Sequence, residues 1–73
     1  MNIQEQMKLD MTKNLALLLM EDNLGMTMEQ AISVVINSET YQRLQNNSTH
    51  LYYQSPRYVY DFLDKELKVG KVV

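Results

Sequence analysis

The apolar run Leu15-Ala-Leu-Leu-Leu-Met20 lies inside a helical pattern and constrains this chain more than any other feature. Ile3, Met7, Met11, Leu15 and Leu19 recur every fourth residue, with Leu18 beside them. That spacing predicts a helix of about five turns, over roughly residues 2 to 23. Its first half is one-sided, with Gln4, Glu5, Lys8, Lys13 and Asn14 on the other face. Its second half is apolar all round, and such a helix must be covered on more than one side. The expected fold is therefore all-α: a single domain over residues 1–73, a compact bundle of three to four helices around a long N-terminal helix.

The remaining residues supply the covering elements. Gly25 stops the first helix, because glycine readily takes the left-handed cap conformation. Thr27-Met-Glu-Gln30 has the form of a capping box, which starts a second helix over about Met28 to Ile36. This helix is expected to bury Met28, Ala31, Ile32, Val35 and Ile36. The β-branched run Val34-Val35-Ile36 also suits a short strand, but no second strand is available to pair with it. Ser38 can cap a short third helix over Glu39 to Gln45, with Tyr41 and Leu44 on its inner face. Asn46-Asn47-Ser48-Thr49 is turn chemistry. Leu51, Tyr52 and Tyr53 then bridge to a last helix with Ser55 as N-cap and Pro56 at its first position. Val59, Phe62, Leu63, Glu66 and Leu67 form its inner stripe, interrupted by one carboxylate. Gly70 ends it, and Lys71-Val72-Val73 reads as a frayed tail.

A chain of 73 residues buries only about 60% of the surface that its unfolded form exposes, so its stability margin is thin. It has no cysteine and one histidine, which closes the disulfide and metal routes to extra stability. Tight helix packing or association with another chain remains. The net charge of −2 disfavours non-specific binding to nucleic acid or to an anionic membrane. The first residues are polar, without a leader pattern, and six apolar residues fall far short of the roughly 20 needed to cross a bilayer. The cytoplasm is the expected location.

Few residues point to chemistry. His50 lies in a turn, without cysteine or a carboxylate at ligand spacing, and reads as an exposed turn residue. Glu21 and Asp22 stand near a helix C-terminus, where the helix dipole disfavours them, so a solvated end or a cationic partner elsewhere is expected. Arg57/Asp61, Asp61/Lys65 and Asp64/Lys68 are opposite charges four apart on the outer face of the last helix. No paired acids, no nucleophile beside a base and no phosphate loop are present, so neither an enzyme nor a cofactor is expected. The tyrosines are ambiguous. Tyr58 and Tyr60 fall at the two borders of the stripe centred on Val59, which suits rings with buried bodies and wet hydroxyls. Alternatively, Tyr41, Tyr52, Tyr53, Arg57, Tyr58 and Tyr60 form an interaction patch, since Tyr and Arg are enriched at binding hot spots. A stacking platform for single-stranded nucleic acid is weakened by the acidic charge. The methionines are read as gap-fillers in a small core.

Three segments carry a resemblance: Met20-Glu-Asp-Asn-Leu-Gly-Met-Thr-Met-Glu-Gln-Ala31, Asn37-Ser-Glu-Thr-Tyr-Gln-Arg-Leu44 and Leu51-Tyr-Tyr-Gln-Ser-Pro-Arg-Tyr-Val-Tyr60. Their layout resembles a family of small uncharacterised bacterial proteins encoded in compact gene clusters with an ADP-ribosyltransferase-like toxin. The resemblance covers nearly the whole chain beyond residue 15. It implies an antitoxin-like or accessory partner of the toxin and carries no catalytic chemistry. Members often have glycine in the turn before the Leu-Tyr pair, where this chain has His50.

Two functional classes follow. The first is a non-enzymatic protein-interaction module that binds a protein partner or itself. A strip including Leu17, Met20 or Leu24, extended by Met7 and Met11, is expected to stay uncovered and to mark self-association. The second is a small DNA-binding regulator, with the second and third helices as a helix-turn-helix-like pair. Its recognition helix would offer one cation, Arg43, with Gln42 and Gln45 as readers, which is thin for phosphate binding.

Overall fold

The computed structural model describes residues 2–70; the tail expected at 71–73 lies outside the described residues. Four helices follow one another: α1 (Ile3–Asp22), α2 (Met28–Ile36), α3 (Glu39–Gln45) and α4 (Pro56–Val69). Two single 3-10 turns, Asn47–Thr49 and Leu51–Tyr53, join α3 to α4. No strand occurs among the described residues, so Val34-Val35-Ile36 is helical.

Each helix start is set by a side chain. Asn2 accepts a hydrogen bond from the Glu5 N–H at 2.8 Å. Thr27 and Gln30 form the reciprocal box: the Gln30 N–H donates to Thr27 Oγ1 at 3.1 Å, and the Thr27 N–H donates to Gln30 Oε1 at 2.9 Å. Ser38 Oγ accepts from the Tyr41 N–H at 3.0 Å, and Ser55 Oγ accepts from the Tyr58 N–H at 3.2 Å. Gly25 and Gly70 take the positive φ expected of them, +95° and +84°. His50 also sits in the left-handed region, at φ +54° and ψ +24° between the two 3-10 turns. A side chain there costs more than glycine does.

α1 is the central element, packed against α2, α4, α3 and the Leu51–Tyr53 turn. Met11, Leu15, Ala16 and Leu19 of α1 meet Ala31 and Val35 of α2, Leu44 of α3, and Val59, Tyr60 and Leu63 of α4. Leu51 and Tyr52 close the core from the connecting turn.

Several expected core positions lie elsewhere. Ile3 is exposed because α1 outruns its cover at the N-terminal end. Met28, Ile36 and Leu67 are also exposed, at the edges of their stripes, whereas Met11 is buried and does not extend any uncovered strip. Leu17 and Leu24 are uncovered as anticipated. Thr12, Ser38 and Thr40 are buried although polar, and each has a hydrogen-bond partner. Of the three expected ion pairs on α4, Asp64–Lys68 alone closes among the described residues, at 2.9 Å.

The carboxylate that interrupts the α4 stripe has a specific use. Glu66 Oε2 accepts from the Glu39 N–H at 2.7 Å. Its Oε1 accepts from the Thr40 N–H at 2.9 Å and from Thr40 Oγ1 at 2.8 Å. An anion from α4 thus occupies the N-terminus of α3, where free N–H groups and the helix dipole favour negative charge. At the other end, Lys8 Nζ of α1 donates to the Gln45 carbonyl at 3.0 Å and to Asn47 Oδ1. A cation is favoured at that C-terminus for the converse reason.

Partial burial pushes the Glu66 carboxyl up, but the Glu39 and Thr40 hydrogen bonds and nearby Arg43 outweigh it and hold the group below its usual 4.5. A carboxyl lowered by folding stabilises the fold above its unfolded pKa and loses that contribution as pH falls through the folded value. Glu66→Ala should therefore cost about 1–2 kcal/mol at neutral pH, and Glu66→Gln roughly half as much. Urea titrations from pH 7 to pH 3 check this. The wild type should lose its advantage over Glu66→Gln below about pH 4.5, and a pH-independent difference would contradict the account.

Candidate interaction surface

Burial divides the tyrosines. Tyr60 is buried, and its hydroxyl donates to Asp22 Oδ2 at 2.6 Å, across from α4 to the end of α1. Burial first, and then this bond to a carboxylate, pushes the Tyr60 phenol well above its ordinary 10.0. The Asp22 carboxylate thus finds a phenol donor in place of the cation considered from sequence. Tyr52 is buried too, with the Lys8 ammonium 5.6 Å from its ring centre. Tyr53 is exposed and lies against Tyr52, ring centres 4.7 Å apart, with His50 edge-on to both. Tyr58 is half exposed on α4 and meets Phe62 edge-on at 5.4 Å. Tyr41 and Arg57 line two different grooves. The six residues therefore do not make one exposed patch: Tyr52 and Tyr60 are structural, and Tyr53 and Tyr58 face solvent.

The larger of two apolar grooves runs between α1, α2 and α3. Leu9, Ile32, Ile36 and Tyr41 form its apolar lining, and Glu5, Lys8, Lys13 and Gln45 stand around it, enclosing about 580 Å³. Leu9 and Ile36 are about half exposed there, at 52% and 46%. α3 supplies one wall through Tyr41 and Gln45, so the groove depends on both the Glu66 and the Lys8 contacts. Its apolar residues were hard to assign from sequence. Leu9 lies off the four-residue repeat of α1, and the spacing of α2 predicts Ile36 as buried; an apolar residue outside the core stripe is the signal the sequence offers.

A second groove, about 450 Å³, lies between α1 and the start of α4, with Leu17, Leu18, Pro56 and Arg57 among its walls. A broader, shallower depression at the α1–α2 turn includes Leu24, Met26 and Val34. No group of three or more His, Asp or Glu that could hold a metal ion occurs among the described residues. No helix there is long and apolar enough to cross a membrane. Comparison of the chain with protein-family models, curated proteins and solved structures returned no match.

The division of the tyrosines is measurable. Tyr52→Ala and Tyr60→Ala should each cost about 3 kcal/mol, the range of large core truncations. Tyr53→Ala and Tyr58→Ala should cost less than about 1 kcal/mol, as for surface positions. Denaturation midpoints of the four variants check this; similar losses at all four would contradict the division.

Proposed function

We propose that this chain is a non-enzymatic protein-interaction module that engages a protein partner through the groove between α1, α2 and α3. Its role is antitoxin-like or accessory to a toxin encoded nearby, as the family resemblance implies, and its setting is the cytoplasm. The observation that carries the binding reading is the half-exposed apolar lining, Leu9 and Ile36 beside Ile32 and Tyr41, with charged and amide side chains around it. An apolar centre with a polar rim is the usual anatomy of a protein contact.

The polar groups with defined partners serve the fold. Glu66 and Lys8 hold α3, and Tyr60 with Asp22 ties α4 to α1. This use favours binding over catalysis. The DNA-binding alternative is disfavoured by the same geometry. The N–H groups at the start of α3, which could approach a phosphate, already face the Glu66 carboxylate. Arg43, the cation of that helix, lies 3.9 Å from Glu39.

Co-expression with the products of the adjacent genes tests the proposal. One of them should co-purify with the wild type, and Ile36→Glu should abolish this while leaving helicity and the unfolding midpoint nearly unchanged. A neutralised toxin would also lose its neutralisation with that variant. Undiminished binding by Ile36→Glu would remove the groove as the site, and the absence of any partner would overturn the functional reading.

A further inference from the structure

The outer face of α1 carries an exposed strip that runs from Lys13, at the rim of the α1–α2–α3 groove, past Leu17, at the wall of the second groove, to Glu21, which lines neither. Residues four apart on a helix drift by about 40° around its axis, so Lys13, Leu17 and Glu21 follow one another along one face. Lys13 and Glu21 are exposed, and Leu17 between them is 44% exposed. Leu24, just past the helix, is 94% exposed. Lys13 and Glu21 take part in none of the ion pairs formed among the described residues.

We infer that this strip pairs with a second copy of the chain in an antiparallel helix crossing centred on Leu17. The strip is its own complement. A two-fold axis at Leu17 brings position 13 of each copy to position 21 of the other, so Lys13 meets Glu21 twice. The two charged positions lie about 12 Å apart along the helix, one turn to either side of Leu17. A parallel crossing would set lysine against lysine and glutamate against glutamate, so charge selects the antiparallel sense. Lys13 also lines the α1–α2–α3 groove, whereas Glu21 does not, so Glu21→Lys tests the dimer separately from the partner proposed there.

Contact along one helix face belongs to the small class of interfaces, so the dimer is weak and concentration-dependent. Light scattering and sedimentation from about 1 µM to about 1 mM should show the mass rising towards twice that of the chain. Lys13→Glu and Glu21→Lys should each weaken dimerisation at least about tenfold, the effect expected of turning an attractive contact repulsive. Mixed in equal amounts, these two variants should dimerise again, because the mixed pair sets Glu against Lys at both contacts. Circular dichroism should show unchanged helicity for both surface variants. A wild type that is monomeric throughout the range overturns the inference, as do single variants that dimerise like the wild type or a mixture no more dimeric than its components.

Discussion

A seven-residue helix held at both ends by charges from its neighbours is the constraint on which the rest of this structure depends. α3 is too short to be stable by itself, because helix nucleation is costly and few bonds follow it. Leu44 anchors it in the core, and Glu66 and Lys8 supply the rest. An anion from α4 meets its N-terminus, and a cation from α1 meets its C-terminus. Both contacts follow the polarity of the helix dipole, and both satisfy backbone groups that the helix itself leaves free. Because the Glu66 acceptor and the Lys8 donor come from different helices, α3 also couples α1 to α4.

This coupling reaches the candidate groove. α1 and α2 alone would form a two-sided ledge; Tyr41 and Gln45 of α3 turn it into a groove. Lys8 serves both purposes, since it contacts the end of α3, lies over the Tyr52 ring and stands at the groove wall. The polar side chains that hold the fold therefore also shape the surface proposed to bind.

The elements were legible in the sequence wherever local chemistry decides. Thr27, Ser38 and Ser55 as caps, Pro56 at a first helical position and Gly70 at an end all act within a few residues, and the helix limits follow from them. What was not legible is non-local. Glu66 reads along the chain as a flaw in an apolar stripe, and only the approach of α3 from 26 or 27 residues away makes it a cap. Asp22 likewise reads as a misplaced charge until Tyr60 arrives 38 residues later. The six patch residues share residue type and proximity in sequence, whereas burial separates Tyr52 and Tyr60 from Tyr53 and Tyr58. Which side of a short helix ends up half covered, as at Ile36 and Leu9, depends on packing that periodicity alone does not fix.

Native-state hydrogen exchange across α3 tests the central claim most directly. If the two charges hold this helix, the amides of Gln42 to Gln45 in the wild type should exchange at the rate of the α1 and α4 core, through global opening. In the double variant Lys8→Met with Glu66→Gln, they should exchange at least about tenfold faster than the core amides, as a locally opening unit. Equal protection of α3 and the core in the double variant would show that packing of Leu44 alone suffices, and would contradict the account.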